Sequence, residues 1–288
     1  MKNQILINED LPNEFENFRI SSNTQKTLKS IGINNLFQIQ SATYDLLYDK
    51  NDLIGRDRTG SGKTLAFSLP ILERFREEKK FKSKSFIKML IMVPTRELAT
   101  QTFNNMISLK NHTNEFNVLS VYGGTSINYQ ISNLEKGVDI LVATPGRLID
   151  LMDREVVPLE NLEVIVFDET DEMLKIGFQK DIEYILEKIN NNLEHDKLQY
   201  LLFSATIPEW VKRISKMFMD KNYYFVNMVE KELNQTSQTI QHLKIKCKNS
   251  NDKIELLNDL ISLHVGTTGR GIIFIDSKRN TTFTRSFI

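Results

Sequence analysis

Cysteine is nearly missing from these 288 residues: Cys247 stands alone, so no internal disulfide can staple the chain, which suits a reducing compartment such as cytosol or nucleus. Histidine is scarce too. The four histidines, His112, His195, His242 and His264, fall far apart without ligand spacing, so no structural metal is expected. Net charge is absent, with Lys+Arg and Asp+Glu each totalling 37. No global basic field draws nucleic acid, and any such contact has to come from local donors. Long apolar runs are lacking as well: "MLIMV" from Met89 is strand length and far too short for a bilayer. The first residues, "MKNQILINED", carry no apolar signal stretch. An intracellular, non-membrane chain is the expectation.

What is present is a rhythm of short apolar runs between longer amphipathic segments. The runs are "MLIMV" (89–93), "NVLSVY" (117–122), "DILVAT" (139–144), "EVIVF" (163–167), "QYLLFS" (199–204) and "YYFVNMV" (223–229). They are apolar throughout instead of alternating, which fits strands buried on both faces of a parallel sheet. An α/β fold with a mostly parallel sheet flanked by helices follows. The charged run 73–85 is expected to end a helix and cross solvent, and the polar stretch 231–239, "KELNQTSQT", is the candidate linker. Beyond it, "IQHLKIK", a helix-like "DKIELLNDLISLHV" and "GIIFI" predict one strand–helix–strand unit, marginal as a core by itself.

The stretch "DRTGSGKT" follows the apolar pair Leu53-Ile54 and precedes "LAFSLPILERF". Thr59-Gly60-Ser61-Gly62 lets the backbone turn its N–H groups toward a triphosphate; Lys63 reaches the β- and γ-phosphates and the Thr64 hydroxyl ligates Mg²⁺. A helix starting there adds its positive end. Asp57 stands where the strict pattern wants glycine. The acidic partner is in "VIVFDETD", where Asp168 orients the metal and Glu169 polarises the attacking water.

With both stretches in hand, the chain resembles the DEAD-box family of ATP-dependent RNA helicases from about Phe15 to Ser277. The resemblance rests on Gln40, "TGSGKT", "PTRELA" (94–99), Gly123-Gly124, "TPGR" (144–147), "DETD" (168–171) and "SAT" (204–206), in family order. The wording between them is most similar to the nucleolar Gu-type branch. The resemblance implies a first RecA-like domain over 31–230, after an N-terminal flank 1–30 and before the linker, and a second RecA-like domain that begins at 240 and is incomplete at 288. It implies ATP and Mg²⁺ as cofactors, with Gln40 reading adenine because a carboxamide can bond adjacent donor and acceptor groups at once. It implies RNA, single-stranded or duplex, bound without sequence preference by Pro94, Thr95, Arg96, Gly123, Gly124, Thr144, Gly146 and Arg147. Ser204 and Thr206 resemble the motif that links the γ-phosphate state to domain closure through Asp171.

The departures are Asp57, where most members have alanine; Ile33, where an aromatic ring commonly stacks on adenine; and Thr170, where the signature has alanine. Asp57 would repel triphosphate unless Arg56 or Arg58 compensates, and Ile33 reduces stacking to plainer apolar contact. Motifs V and VI, with their arginine fingers, do not occur, so slow hydrolysis is expected of the chain alone. Trp210 and the phenylalanines are given to core packing. A monomer in cytoplasm or nucleus, with the nucleolus included and protein cofactors allowed, completes the expectation. The rival reading is a silent nucleotide- and RNA-binding scaffold. A GTPase is set aside because no Asn-Lys-x-Asp guanine reader occurs.

Overall fold

The computed structural model describes residues 3–6, 11–81, 86–110, 115–192, 198–229, 243–247, 250–265 and 269–274. The chain divides into two compact units, Met1–Leu233 and Asn234–Ile288. The first holds an eight-stranded sheet whose strands are β1 (Asn3–Leu6), β2 (Leu53–Arg56), β3 (Met89–Met92), β4 (Val118–Val121), β5 (Ile140–Ala143), β6 (Val164–Phe167), β7 (Gln199–Ser204) and β8 (Tyr224–Asn227). Every strand pair is parallel, in the order β1-β8-β2-β7-β6-β3-β5-β4. The apolar runs therefore do form the strands expected of them. β1 was not anticipated, since Asn3-Gln4-Ile5-Leu6 is too short to show a period; it pairs with β8 at one edge.

Alternation along each strand splits the core in two, because successive side chains point to opposite faces. Met89 and Ile91 of β3, Val142 of β5 and Phe203 of β7 pack with Ile39, Tyr44 and Leu47 of α2 (Gln38–Tyr48), Phe67 of α3 (Lys63–Glu77) and Met106 of α4 (Arg96–Ser108). Leu90, Met92, Leu141 and Leu202 pack with Leu148 and Leu151 of α6 (Pro145–Asp153), Ile182 and Ile185 of α8 (Gln179–Asn192) and Trp210 of α9 (Glu209–Phe218). The result is a helix–sheet–helix sandwich. Each fully buried Leu, Ile, Val or Phe contributes about 1.5–3 kcal/mol, which makes the two faces the main source of stability. Gly55 of β2 shows how tight this packing is: a Cβ there would lie 2.6 Å from the Phe203 ring, which stacks at a tilt on Phe67.

Three further helices matter for the site: α1 (Ser22–Ser30), α5 (Ile127–Glu135) and α7 (Thr170–Ile176). In the second unit, the expected helix is present as α10 (Ser250–His264). The strands expected on either side of it are not found among the described residues, since 243–247 and 269–274 carry no regular structure. A strand persists only when a neighbour completes its hydrogen-bond ladder, and no described segment of this unit supplies one. The expected linker 231–239 lies outside the described residues.

Candidate functional site

A parallel sheet puts the carboxyl ends of all its strands on one edge, and the loops that leave that edge are where such folds hold ligands. The strand order divides this edge. β2, β7 and β6 lie side by side and carry "DRTGSG", "SAT" and "DETD"; β3, β5 and β4 lie side by side and carry "PTR", "TPGR" and the glycine pair.

In the first half, the turn after β2 meets the tip of β6. Thr64 donates its hydroxyl to Asp168 Oδ2 at 3.3 Å across 104 residues of sequence, and Lys63 Nζ lies 3.4 Å from Glu169 Oε1. Lys63 is only 4% exposed, and its ammonium is satisfied by donating to the carbonyls of Asp57 (3.2 Å) and Arg58 (2.9 Å). Gly62 ends the turn at φ +86°, a left-handed conformation, and a Cβ on it would lie 2.4 Å from Gln40 Nε2, so only glycine fits. Thr59 and Gly60 are exposed, and the Ser61 hydroxyl is buried without a hydrogen-bond partner among the described residues.

Burial pushes the Asp168 carboxyl up to about 7; the negative Glu169 beside it adds to the rise, against the pull of Lys63, the Glu169 N–H and the Thr64 hydroxyl. Glu169 sits at φ +52°, strained for a residue with a Cβ, and its Oε2 is buried without a partner among the described residues. The strain aims one carboxylate oxygen at Lys63 and leaves the other unspent.

Asp171 ties this tip to β7. Its Oδ2 accepts from the Thr206 N–H (3.1 Å) and hydroxyl (2.9 Å), while its own N–H donates to Ser204 Oγ (3.2 Å). Burial opposes the charge on Asp171, but the Ser204 and Thr206 donors outweigh it and hold the carboxyl below its ordinary range. Thr170 adds a second tie, its hydroxyl lying 3.1 Å from Phe167 O and 3.2 Å from Phe203 O. Asp57 is bonded from within: its Oδ1 accepts from the Arg58 main-chain N–H at 2.7 Å, whereas Arg56 donates its guanidinium to Ala205 O. Among the described residues no guanidinium forms an ion pair with the Asp57 carboxylate.

A cavity of about 370 Å³ opens over these groups. Its walls include Gln40, Gly60, Gly62, Lys63, Thr64, Asp168 and Glu169, with Ile31, Ile33 and Phe37 at one side and Leu98, Gln101 and Asn105 of α4 at the other. Gln40 accepts from the Phe37 N–H at Oε1 (2.8 Å) and donates from Nε2 to Gly62 O (3.1 Å). A carboxamide has two donors and two lone pairs, so one of each remains. Adenine presents that complement along its N6/N7 edge, and guanine does not. Thr64 and Asp168 bring one hydroxyl and one carboxylate to the cavity wall. Such a sparse oxygen set fits Mg²⁺, which keeps most of its shell for phosphates and water.

The second half is built differently. Thr95 accepts the Leu98 N–H and so caps α4, leaving Arg96 exposed with its guanidinium 5.7 Å over the Tyr122 ring. Gly124, at φ +84°, has its Cβ position 2.6 Å from Arg96 Nη1, so the loops after β3 and β4 touch. Arg147 donates from Nη1 to Thr125 O (3.1 Å) and Gln130 Oε1 (2.8 Å), and Gln130 donates to Tyr122 O and Thr125 Oγ1. Gly123, Gly124 and Gly146 are exposed, while Pro94 and Thr144 are buried. The residues sequence reasoning missed are Tyr122, Thr125 and Gln130, whose part depends on contacts across strands that no local pattern encodes.

Residues 37–214 match the family model described as DEAD/DEAH box helicase. The chain is 38% identical over 280 residues to the ATP-dependent RNA helicase DDX50 of Homo sapiens, covering 97% of this chain and 37% of that protein. It is 37% identical over 270 residues to nucleolar RNA helicase 2 of Rattus norvegicus, covering 92% of this chain and 34% of that one. It therefore spans less than two fifths of the length of these relatives. Among solved structures, the DEAD-box helicase Mss116 bound to ssRNA and UDP-BeF superposes with a TM-score of 0.70 at 28% identity, over 80% of this chain and 48% of that one. Among the described residues no helix is long and apolar enough to cross a membrane.

Proposed function

The chain belongs to the DEAD/DEAH box helicase family, and from that premise we propose that it carries the nucleotide-binding RecA-like domain of an enzyme coupling RNA-stimulated ATP hydrolysis to local unwinding of RNA duplexes. The observation that carries this reading is the junction of Lys63 and Thr64 with Glu169 and Asp168.

Lys63 gives up the carbonyls of its own turn for the β- and γ-phosphates, where its charge is worth more in a water-poor site. Thr64 and Asp168 would hold Mg²⁺, which would supply positive charge against the phosphates. Glu169, with an oxygen free to accept, orients the attacking water. Gln40 selects adenine. Asp171 carries the nucleotide state to Ser204 and Thr206, because all three share one hydrogen-bond network. In the other half, Arg96, the exposed glycine N–H groups and Thr144 face a ribose-phosphate chain without reading bases, and Arg147 holds the glycine loop in shape. We read residues 240–288 as the start of a second RecA-like domain. The names of the relatives support placing the protein in the nucleus or nucleolus, and we read it as a monomer.

Lys63→Ala tests the reading: labelled-ATP retention falls by on the order of 100-fold, while RNA binding without nucleotide keeps its dependence on salt. Unchanged retention removes the nucleotide site.

A further inference from the structure

The sheet has a second edge, where its strands begin, and a larger cavity lies there. It measures about 540 Å³, against about 370 Å³ for the one over Lys63 and Asp168, and no residue lines both. The starts of β2 and β7, the end of α9 and the turn from α9 into β8 enclose it. The four residues of β2 separate Asp52, on its wall, from Asp57 at the carboxyl edge. Neither the nucleotide site nor the row of exposed glycines uses this space.

The walls carry negative charge that no cation answers. Asp52 is 8% exposed and accepts the Tyr200 and Asp220 N–H groups; Asp220 in turn accepts the Asn222 N–H. Main-chain donors thus fix both carboxylates in place without neutralising either. Lys50, the cation on the wall, is taken by Glu78 at 2.8 Å. Burial pushes the Asp52 carboxyl up and the negative Asp220 adds to the rise, against the two N–H bonds. Helix α9 ends at the cavity through Met217 and Phe218 and turns the negative end of its dipole toward it. An anion is repelled here. A metal ion is poorly served, since among the described residues no group of three His, Cys, Asp or Glu stands together to hold one. The remaining wall is soft and apolar: Met217, 58% exposed, lies with Met219, Phe218 and Tyr223. Thioethers adapt to a flexible chain, and ring faces attract a cation.

We propose that this cavity binds a primary alkylammonium group carried on a methylene chain, with Asp52 and Asp220 accepting its N–H donors and the methionines covering its methylenes. An ammonium has three donors and no acceptor, and the lone pairs that the two carboxylates have left are its complement. Free polyamines and the lysine side chains of a protein share this chemistry.

The test titrates the whole chain, free of RNA and nucleotide, with spermidine and separately with a short lysine peptide by calorimetry, while NMR follows the Tyr200 and Asp220 amides. At least one probe binds saturably and shifts both amides; hexanediol, a chain without ammonium, does neither. Spermidine alone points to a free polyamine, and the peptide alone to the lysine of another protein. Asp220→Asn, which keeps an acceptor for the Asn222 N–H, weakens binding about tenfold. Met217→Lys, which sets a competing ammonium on the wall, weakens it at least as much. Both variants keep the wild-type melting temperature and Mg²⁺-ATP affinity. No saturable binding of either probe overturns the proposal. So does binding unchanged in either variant, or displacement of the probe by Mg²⁺ at equal concentration.

Discussion

The two halves of the sheet edge share a backbone plan and differ in burial. After β2, β7 and β6, charged groups are sunk into the protein and bonded to neutral groups there: Lys63 to carbonyls, Asp168 to Thr64, Asp171 to Thr206. After β3, β5 and β4, the glycines and Arg96 stay in solvent, and the buried bonds serve only to shape the loops. A compact, highly charged triphosphate repays deep, pre-bonded charge, since each contact strengthens as water is excluded. A ribose-phosphate chain asks for a shallow row of donors, each weak and screened by salt.

Glycine substitution should break the symmetry most sharply. Gly62→Ala forces a Cβ into Gln40 and Phe37 at a left-handed φ, so ATP affinity drops more than about tenfold and stability falls by roughly 1–3 kcal/mol. Gly123→Ala meets nothing within 4 Å and should change either quantity only marginally by the same calorimetry and denaturant titration. Equal effects at the two positions would erase the distinction.

Asp52 supplies a reference away from both halves, at the start of β2, where it accepts the Tyr200 and Asp220 N–H groups. Burial pushes its carboxyl from 3.8 up to about 6, with Asp220 adding to the rise and those two N–H bonds opposing it. A carboxyl raised on folding holds its proton more tightly in the folded state, so its contribution is full below about pH 4 and is lost as pH rises through 6. That loss is roughly 3 kcal/mol. Wild type should therefore exceed Asp52→Asn in stability by more at pH 4 than at pH 7.5, and a gap that widens with pH would reverse the sign.

How far the sequence speaks differs between the halves too. The strands and the glycine turn were legible because burial on both faces and left-handed turns leave local marks, as at "MLIMV" and Gly62. The acidic tip was legible as carboxylates after an apolar strand. The brace of Arg147 on Gln130, the Thr170 tie and the Asp57 turn were not, because they join residues through the tertiary fold or through the main chain. Thr95, read from the pattern as an RNA contact, also accepts the Leu98 N–H as the N-cap of α4, a tie its pattern did not announce. Phe37, given to the core by composition, is at the surface.

Two smaller effects sharpen the contrast. Arg96→Ala should lower the slope of log affinity for RNA against log salt by about 1 and leave ATP binding alone; loss of ATP binding would join the halves into one site. Thr170→Val should lower stability by about 1 kcal/mol as the hydroxyl leaves Phe167 O and Phe203 O, with Thr170→Ser close to wild type in the same denaturant titration. A valine variant as stable as wild type would mean the hydroxyl tie is idle.

The central claim is that the turn after β2 and the tip of β6 close on one metal-bound triphosphate. An anomalous-scattering map of crystals grown with Mn²⁺ and a non-hydrolysable ATP analogue tests it most directly. The prediction is a manganese peak beside Thr64 Oγ1 and the Asp168 carboxylate, with Lys63 Nζ moved from the Asp57 and Arg58 carbonyls onto phosphate oxygens. A peak elsewhere on the molecule, or a triphosphate bound with Lys63 still on those carbonyls, would contradict the account.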